Sequence, residues 1–207
     1  MAKPDEIRRI ERIAWDLRAD VVRMIGVGKA GHLGGSCSVA EIVAALYFAK
    51  MRFDPKALGD PCRDRFLLSK GHSVLIQYAA LVELGVIPRE ELGKVKTLAG
   101  KLQGHPDMMT PGMEAVTGSL GQGLSIAVGM ALALRLAKSP SRVYVVMGTA
   151  SFPKASSGKR PWPTGATGWI PLLASWIETG SRPRGRRTRS STSPGFRRNG
   201  GRSDGTR

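Results

Sequence analysis

Apolar residues recur at helical spacing from the start of the chain. Ile7, Ile10, Ile13, Ala14, Leu17, Val21 and Met24 are separated by Arg, Glu and Asp, which predicts an amphipathic helix over 5–27. Gly26, Gly28 and the loop Gly31–Gly35 mark its end. Ser38 followed three residues later by Glu41 reads as a capping box. Ile42, Ala45, Leu46 and Ala49 give the helix it would start an apolar stripe. Asp54-Pro55 and Asp60-Pro61 punctuate a loop, and the apolar run Arg65–Leu68 predicts a buried strand. Helices are expected over 73–84 and 88–98, and again over the Ala-, Leu- and Met-rich stretch Gly121–Lys138. Val143–Met147 reads as a parallel core strand. Helices alternating with buried strands predict an α/β fold, a parallel sheet with flanking helices.

After Gly148 no helical or strand period is sustained. Trp162, Trp169 and Trp176 sit seven apart, but Pro161, Pro163 and Pro171 forbid a continuous helix between them. Charge changes at the same point. Of the 207 residues, 1–148 hold 20 Lys and Arg against 14 Asp and Glu, a net of +6, whereas 149–207 hold 12 against 2, a net of +10. The reading is therefore a domain over 1–148 and a basic Pro/Arg/Gly-rich tail over 149–207, disordered by composition. Its arginine runs have no interleaved aromatics and no folded motif, which argues against a nucleic-acid partner. The charged N-terminus has no apolar core of a signal peptide, and no run reaches membrane-spanning length, so a cytoplasmic protein is expected. Cys37 and Cys62 have neither metal-type nor disulfide spacing and are expected to be buried or half-buried free thiols.

The candidate chemistry lies in turns. All three histidines sit beside glycine: Gly31-His32-Leu33-Gly34-Gly35, Ser69-Lys70-Gly71-His72 and Gly104-His105-Pro106-Asp107. Glycine lets the backbone come close to a ligand, and imidazole titrates near neutrality, so a shared site is a fair expectation. The segment Thr117–Gly123 then runs into a long helix. Small residues there allow backbone N–H groups and the helix dipole to face an anion; they equally permit a tight turn and close packing.

The segments GHLGGSCSVAEI, DRFLLSKGH, LQGHPD, TGSLGQGLSIAVGMALA and VYVVMG occur in the order and spacing of the N-terminal domain of transketolases. The chain resembles that family over about residues 5–148, and its short N-terminus resembles the split type, whose halves are separate polypeptides. The resemblance implies a thiamine-diphosphate-binding fold, here truncated, and two-carbon ketol transfer between phosphosugars. It places His32 against cofactor and substrate, His72 on the thiamine diphosphate and His105 at the substrate hydroxyls. Backbone around Gly118 and the Leu120 side chain would hold the cofactor rings. Mg²⁺ is the implied second cofactor and a C-terminal subunit the implied partner, in a homodimer or heterotetramer. A related enzyme, such as a deoxyxylulose-phosphate synthase, fits the same motifs, and a nucleic-acid-binding tail on a decayed enzyme domain is the reading from another class.

One part of the family pattern is broken. Where the family continues with Asp-Gly-Glu after the second strand, and about thirty residues later with Asn, this chain reads Gly148-Thr149-Ala150-Ser151. Those oxygen ligands hold the divalent ion, so the metal site is expected to be missing. A one-base frameshift near Gly148 accounts for it. Trp is encoded only by TGG and Ile codons begin with AT, so reading Trp176-Ile177 one base earlier forces GAT, which is Asp. The next straddling codons permit Arg and then Asn, and the same shift permits Asp-Gly-Glu after the strand. Out-of-frame reading of a GC-rich gene also yields Arg, Pro, Gly, Ser and stray Trp. On this reading the chain as it stands is inactive.

Overall fold

The computed structural model describes residues 3–26 and 31–148, together with the backbone of Leu172–Ile177. Helix α1 spans Pro4–Ile25. Pro4 supplies a φ already suited to a first helical turn, Asp5 and Glu6 face the positive end of the helix dipole, and Arg23 faces the negative end. Its buried stripe is Ala14, Leu17, Val21 and Met24, with Ile10 and Ile13 half-buried beside it. Ile7 departs from the expected stripe and is half exposed, because the first turns of α1 extend past the body they pack on. Asp20 is buried on the same helix and is paired with Arg23 and Arg89.

Leu17 is fully buried between α1 and the helices behind it. Leu17→Ala should therefore lower the unfolding free energy by roughly 3 kcal/mol, the transfer loss plus the cavity left behind. A shift of the urea midpoint at constant slope would register it; a midpoint equal to wild type would mean that α1 does not seal this core.

Beyond α1 come α2 (Leu33–Cys37) and α3 (Ala40–Ala45), the latter running on as a wider π turn over Leu46–Lys50. The expected capping box does not form. Ser38 is the C-cap of α2, its hydroxyl donates to Gly35 O at 2.9 Å, and Glu41 pairs with Arg18 instead. The buried stripe is Ala40, Val43, Ala44 and Tyr47, with Leu46, while Ala45 and Ala49 face solvent. This set has the same helical period as the expected one but is centred on Val43 and Tyr47. Sequence spacing could not choose between two apolar stripes on so apolar a helix.

Strand β1 is Arg65–Leu68, followed by a 3₁₀ turn at Gly71–Ser73 and α4 (Leu75–Glu83), which is buried almost throughout. The helix expected over 88–98 is only a 3₁₀ turn, Arg89–Lys94. Lys96 adopts a positive φ of 59°, and its N–H goes to Leu102 O, so the chain folds back rather than continuing. Leu92 and Val95 are buried but Leu98 is fully exposed, which breaks the stripe a helix would need. Helix α5 (Gln122–Leu136) leads to β2 (Val143–Gly148).

The sheet is parallel, in the order β1-β2-β3, with Phe66 opposite Tyr144 and Val145 opposite the third strand's Ala174. That third strand, β3 (Leu172–Ile177), corrects the expectation of no strand after Gly148. Leu-Leu-Ala-Ser-Trp-Ile is too short for periodicity to assign, and its pairing depends on the open edge of β2, a partner that local pattern does not contain. The rest of 149–207, including the expected disorder, lies outside the described residues. Alternate strand residues serve two cores. Phe66, Leu68, Tyr144 and Val146 pack on α1, α3 and α4, while Leu67, Val143, Val145 and Met147 pack on Ala127 and Ala131 of α5. Of the two thiols, Cys37 is half-buried as expected, whereas Cys62 is exposed in the Asp60-Pro61 turn. Among the described residues no helix is long and apolar enough to cross a membrane.

Candidate cofactor-binding site

Four glycine-containing loops meet beyond the C-terminal end of β1, the edge where parallel α/β sheets commonly hold ligands. The first contact is between the turn after β1 and the loop before α5. A Cβ on Gly71 would lie 2.1 Å from the Thr117 carbonyl oxygen, so only glycine lets these two backbones cross. Thr117 Oγ1 donates to Leu68 O at 2.7 Å and fastens the loop to the strand end. Glu114, buried between Arg63 and Arg65, anchors the same loop three residues earlier. Gly123, in the first turn of α5, sits directly on Ser69.

These contacts fix where the histidines stand. The rings of His32 and His72 lie 4.9 Å apart, tilted by 57°. His105 lies on the loop that passes Gly118, whose absent Cβ would be 2.9 Å from the His105 ring. The Tyr78 hydroxyl, rising from α4, donates to His105 O at 3.1 Å. His32 and His105 are exposed at the mouth, and His72 is half-buried behind them. Burial, followed by the nearby His32, Lys70 and His105 charges, pushes the His72 pKa below its ordinary value, so its imidazole is neutral at pH 7. The three histidines that the sequence singled out are thus neighbours. Gly118 lies against one of them, and half-buried Leu120 stands two residues on, at the entry to α5.

Sequence reasoning missed Lys70. Its side chain is 3% exposed, and its ammonium donates to Gly35 O at 2.5 Å and to Ser38 Oγ at 3.0 Å. It has no carboxylate partner among the described residues, and burial pushes its pKa down to about 8. Around it the hydroxyls of Ser36, Ser69 and Ser73 are buried without a hydrogen-bond partner. Helix α5 starts at Gly121 in a left-handed conformation, with no side-chain cap and no acidic residue in its first turn. A buried cation, three spare hydroxyl donors and an uncapped helix N-terminus make a cradle suited to an anionic group such as a diphosphate. The missed signal was that Lys70 comes two residues after a buried strand, where a lysine has no water to meet. No group of three or more His, Cys, Asp or Glu among the described residues could hold a metal ion. Thr149–Ser151, where the family's first ligands would fall, lie outside them.

Residues 10–143 match the transketolase thiamine diphosphate-binding domain. The chain is 45% identical over 144 residues to the 6-deoxy-6-sulfo-D-fructose transketolase subunit of a Clostridium species, covering 67% of this chain and 52% of that protein. It is 42% identical over 143 residues to an apulose-4-phosphate transketolase subunit of Phocaeicola vulgatus, covering 69% and 51% respectively. The chain therefore spans about half the length of these curated relatives. Among solved structures, the transketolase of Leishmania mexicana superposes with a TM-score of 0.66 at 31% identity, over 74% of this chain and 24% of that one. Transketolases are transferases that use thiamine diphosphate with a divalent metal. With the histidine mouth and anion cradle assembled from the matched segment, this chain belongs to the transketolase family, through its thiamine diphosphate-binding N-terminal domain.

Proposed function

We propose that the chain is the N-terminal part of a two-subunit transketolase that moves a two-carbon ketol group between phosphosugars, and that its reading frame slips by one base near Gly148. The convergence of His32, His72 and His105 on one mouth, above a buried cation with no carboxylate partner among the described residues, carries the first half of this reading. The two bacterial relatives, both transketolase subunits, support it.

Bound thiamine diphosphate supplies an electron sink for breaking and making the carbon–carbon bond next to a carbonyl. The chain's own residues do the rest. Lys70 and the Ser36, Ser69 and Ser73 hydroxyls would hold the diphosphate, and neutral His72 would donate or accept beside it. The Gly118 backbone and Leu120 would bracket the cofactor rings. His32 and His105, exposed at the entrance, contact the sugar and relay protons at its hydroxyls. No set of three or more His, Cys, Asp or Glu among the described residues fits Mg²⁺. The second half of the reading rests on the codon constraint at Trp176-Ile177 and on the jump in basic charge after Gly148.

Sequencing the gene across codons 140–210 tests the frame. The restored and unrestored chains, each mixed with a transketolase C-terminal subunit, should then be assayed with xylulose 5-phosphate and ribose 5-phosphate. The restored chain is expected to turn over, and the chain as it stands to run at less than about a thousandth of that rate, the loss expected when the ion that balances the diphosphate cannot bind. Comparable rates from the two chains would overturn the frameshift, and no rate from either would overturn the ketol transfer.

A further inference from the structure

The opposite end of the sheet carries a second charged recess. Lys50, Arg52, Asp64, Pro140 and Arg142 line a depression of about 360 Å³. Asp64 and Arg142 immediately precede β1 and β2, whereas Lys70 and the histidine mouth lie past the strands' other end. Six residues of β2 at about 3.3 Å each separate the two places by roughly 20 Å.

The charges in this recess are not balanced. Its single carboxylate, Asp64, has a side chain only 2% exposed and is already saturated. Asp64 Oδ2 accepts from Arg52 N at 3.0 Å, and Oδ1 accepts from the Arg52 guanidinium at 2.9 Å and from Arg142 N at 2.8 Å. Asp64 therefore acts as a strut that fixes the backbone of both flanking segments. Arg52 also reaches Pro140 O, so its guanidinium is held in one orientation while half of the side chain stays exposed. The side chains of Lys50 and Arg142 are exposed and have no ion-pair partner among the described residues. One guanidinium is thus preset, two further cations flank it, and the only carboxylate is spent, which leaves a net charge of +2.

We infer that this recess binds a phosphate group, as inorganic phosphate or as the phosphoryl end of a small metabolite. The Arg52 guanidinium, its Nη2 already donating to Asp64 and Pro140 O, is held in place with Nη1 as a positioned donor, while the Arg142 guanidinium offers paired N–H donors to phosphate oxygens and the flexible Lys50 ammonium closes over the remaining charge. The recess has the volume of a small phosphorylated metabolite rather than the length of a nucleic-acid groove. Unlike the cradle at Lys70, it is open to water, so binding should weaken steeply with salt.

The test uses the full 207-residue chain and ³¹P NMR of inorganic phosphate. The phosphate line should shift and broaden saturably with protein, and K50Q/R142Q should weaken the dissociation constant tenfold or more at an unchanged urea midpoint. Lys70→Met, which removes the cradle at the other end of the sheet, should leave this binding in place. Failure of the frame-restored chain to bind thiamine diphosphate would count against the cofactor reading and leave this one standing. Equal phosphate binding by wild type and double variant, no saturable binding, or loss of binding in Lys70→Met would each overturn the recess. So would an oligonucleotide that binds wild type, but not the double variant, where phosphate fails to bind.

Discussion

Gly71→Ala will separate the turn after β1 from the loop before α5, with a loss of about 3 kcal/mol or more in stability and of the native near-ultraviolet dichroism. The added methyl would have to occupy space 2.1 Å from a carbonyl oxygen and 2.4 Å from its carbon, and both belong to backbone. A flexible side chain could swing away, but the Thr117 peptide is fixed by its hydroxyl bond to Leu68 O and by the Glu114 anchor upstream. Overpacking of this kind costs about 1–3 kcal/mol where neighbours can relax, and more where they cannot. Gly129 is the control. It lies inside α5, and a Cβ there meets nothing within 4 Å, so Gly129→Ala should gain about 0.5–1 kcal/mol from helix propensity alone. Equal urea midpoints for Gly71→Ala and wild type would mean that the two loops do not cross as described. The histidine mouth would then have no rigid floor.

Much of this arrangement was legible in the residues, and what was not has identifiable causes. Helical period located α1, Ala-, Leu- and Met-rich composition located α5, and short apolar runs located β1 and β2, because each buries one face or both against a broad core. The His-Gly pairs marked loops where backbone comes close to other backbone, and three of the four site loops were found that way. The helix after Gly35 was placed on the wrong stripe because its residues are apolar all round. Only the packing of Val43 and Tyr47 against β1 and α4 selects the face. Ser38 looked like a cap for the following helix and instead closes the preceding one, since its hydroxyl has Gly35 O on one side and Lys70 on the other. Both long-range features that were missed, buried Lys70 and strand β3, depend on partners more than twenty residues away. Local sequence carries no information about a counter-ion that is absent or a sheet edge that is open.

Lys70→Met should make the protein more stable at pH 7 and at the same time remove the anion affinity of the cradle. Folding takes the Lys70 ammonium out of water without giving it a carboxylate, and its pKa falls from 10.5 to about 8. A lysine whose folded pKa is depressed binds its proton more tightly when unfolded. The penalty is therefore fully present below pH 8, and stability rises as pH increases from 8 towards 10.5, where the unfolded chain still holds the proton and the folded one has released it. The span corresponds to on the order of 3 kcal/mol. Methionine fills a similar volume, and the partners it abandons still have each other, because Ser38 Oγ donates to Gly35 O. The variant should thus gain on the order of 2 kcal/mol at pH 7 and lose the rise above pH 8. Tyr78, pushed up to about 12, and Cys37, also raised by burial, work in the opposite direction, lowering stability above about pH 9–10 in both proteins. The wild-type-minus-variant difference isolates Lys70. Urea midpoints at pH 7, 8 and 9 would measure it, and millimolar inorganic diphosphate should stabilise wild type more than the variant. If Lys70→Met is instead destabilised at every pH and diphosphate acts on both proteins alike, the lysine is a structural tie between α2 and β1. If the expected pattern appears, a group that burdens the empty domain is kept for the anion it receives, as a site that gives up stability for binding would require.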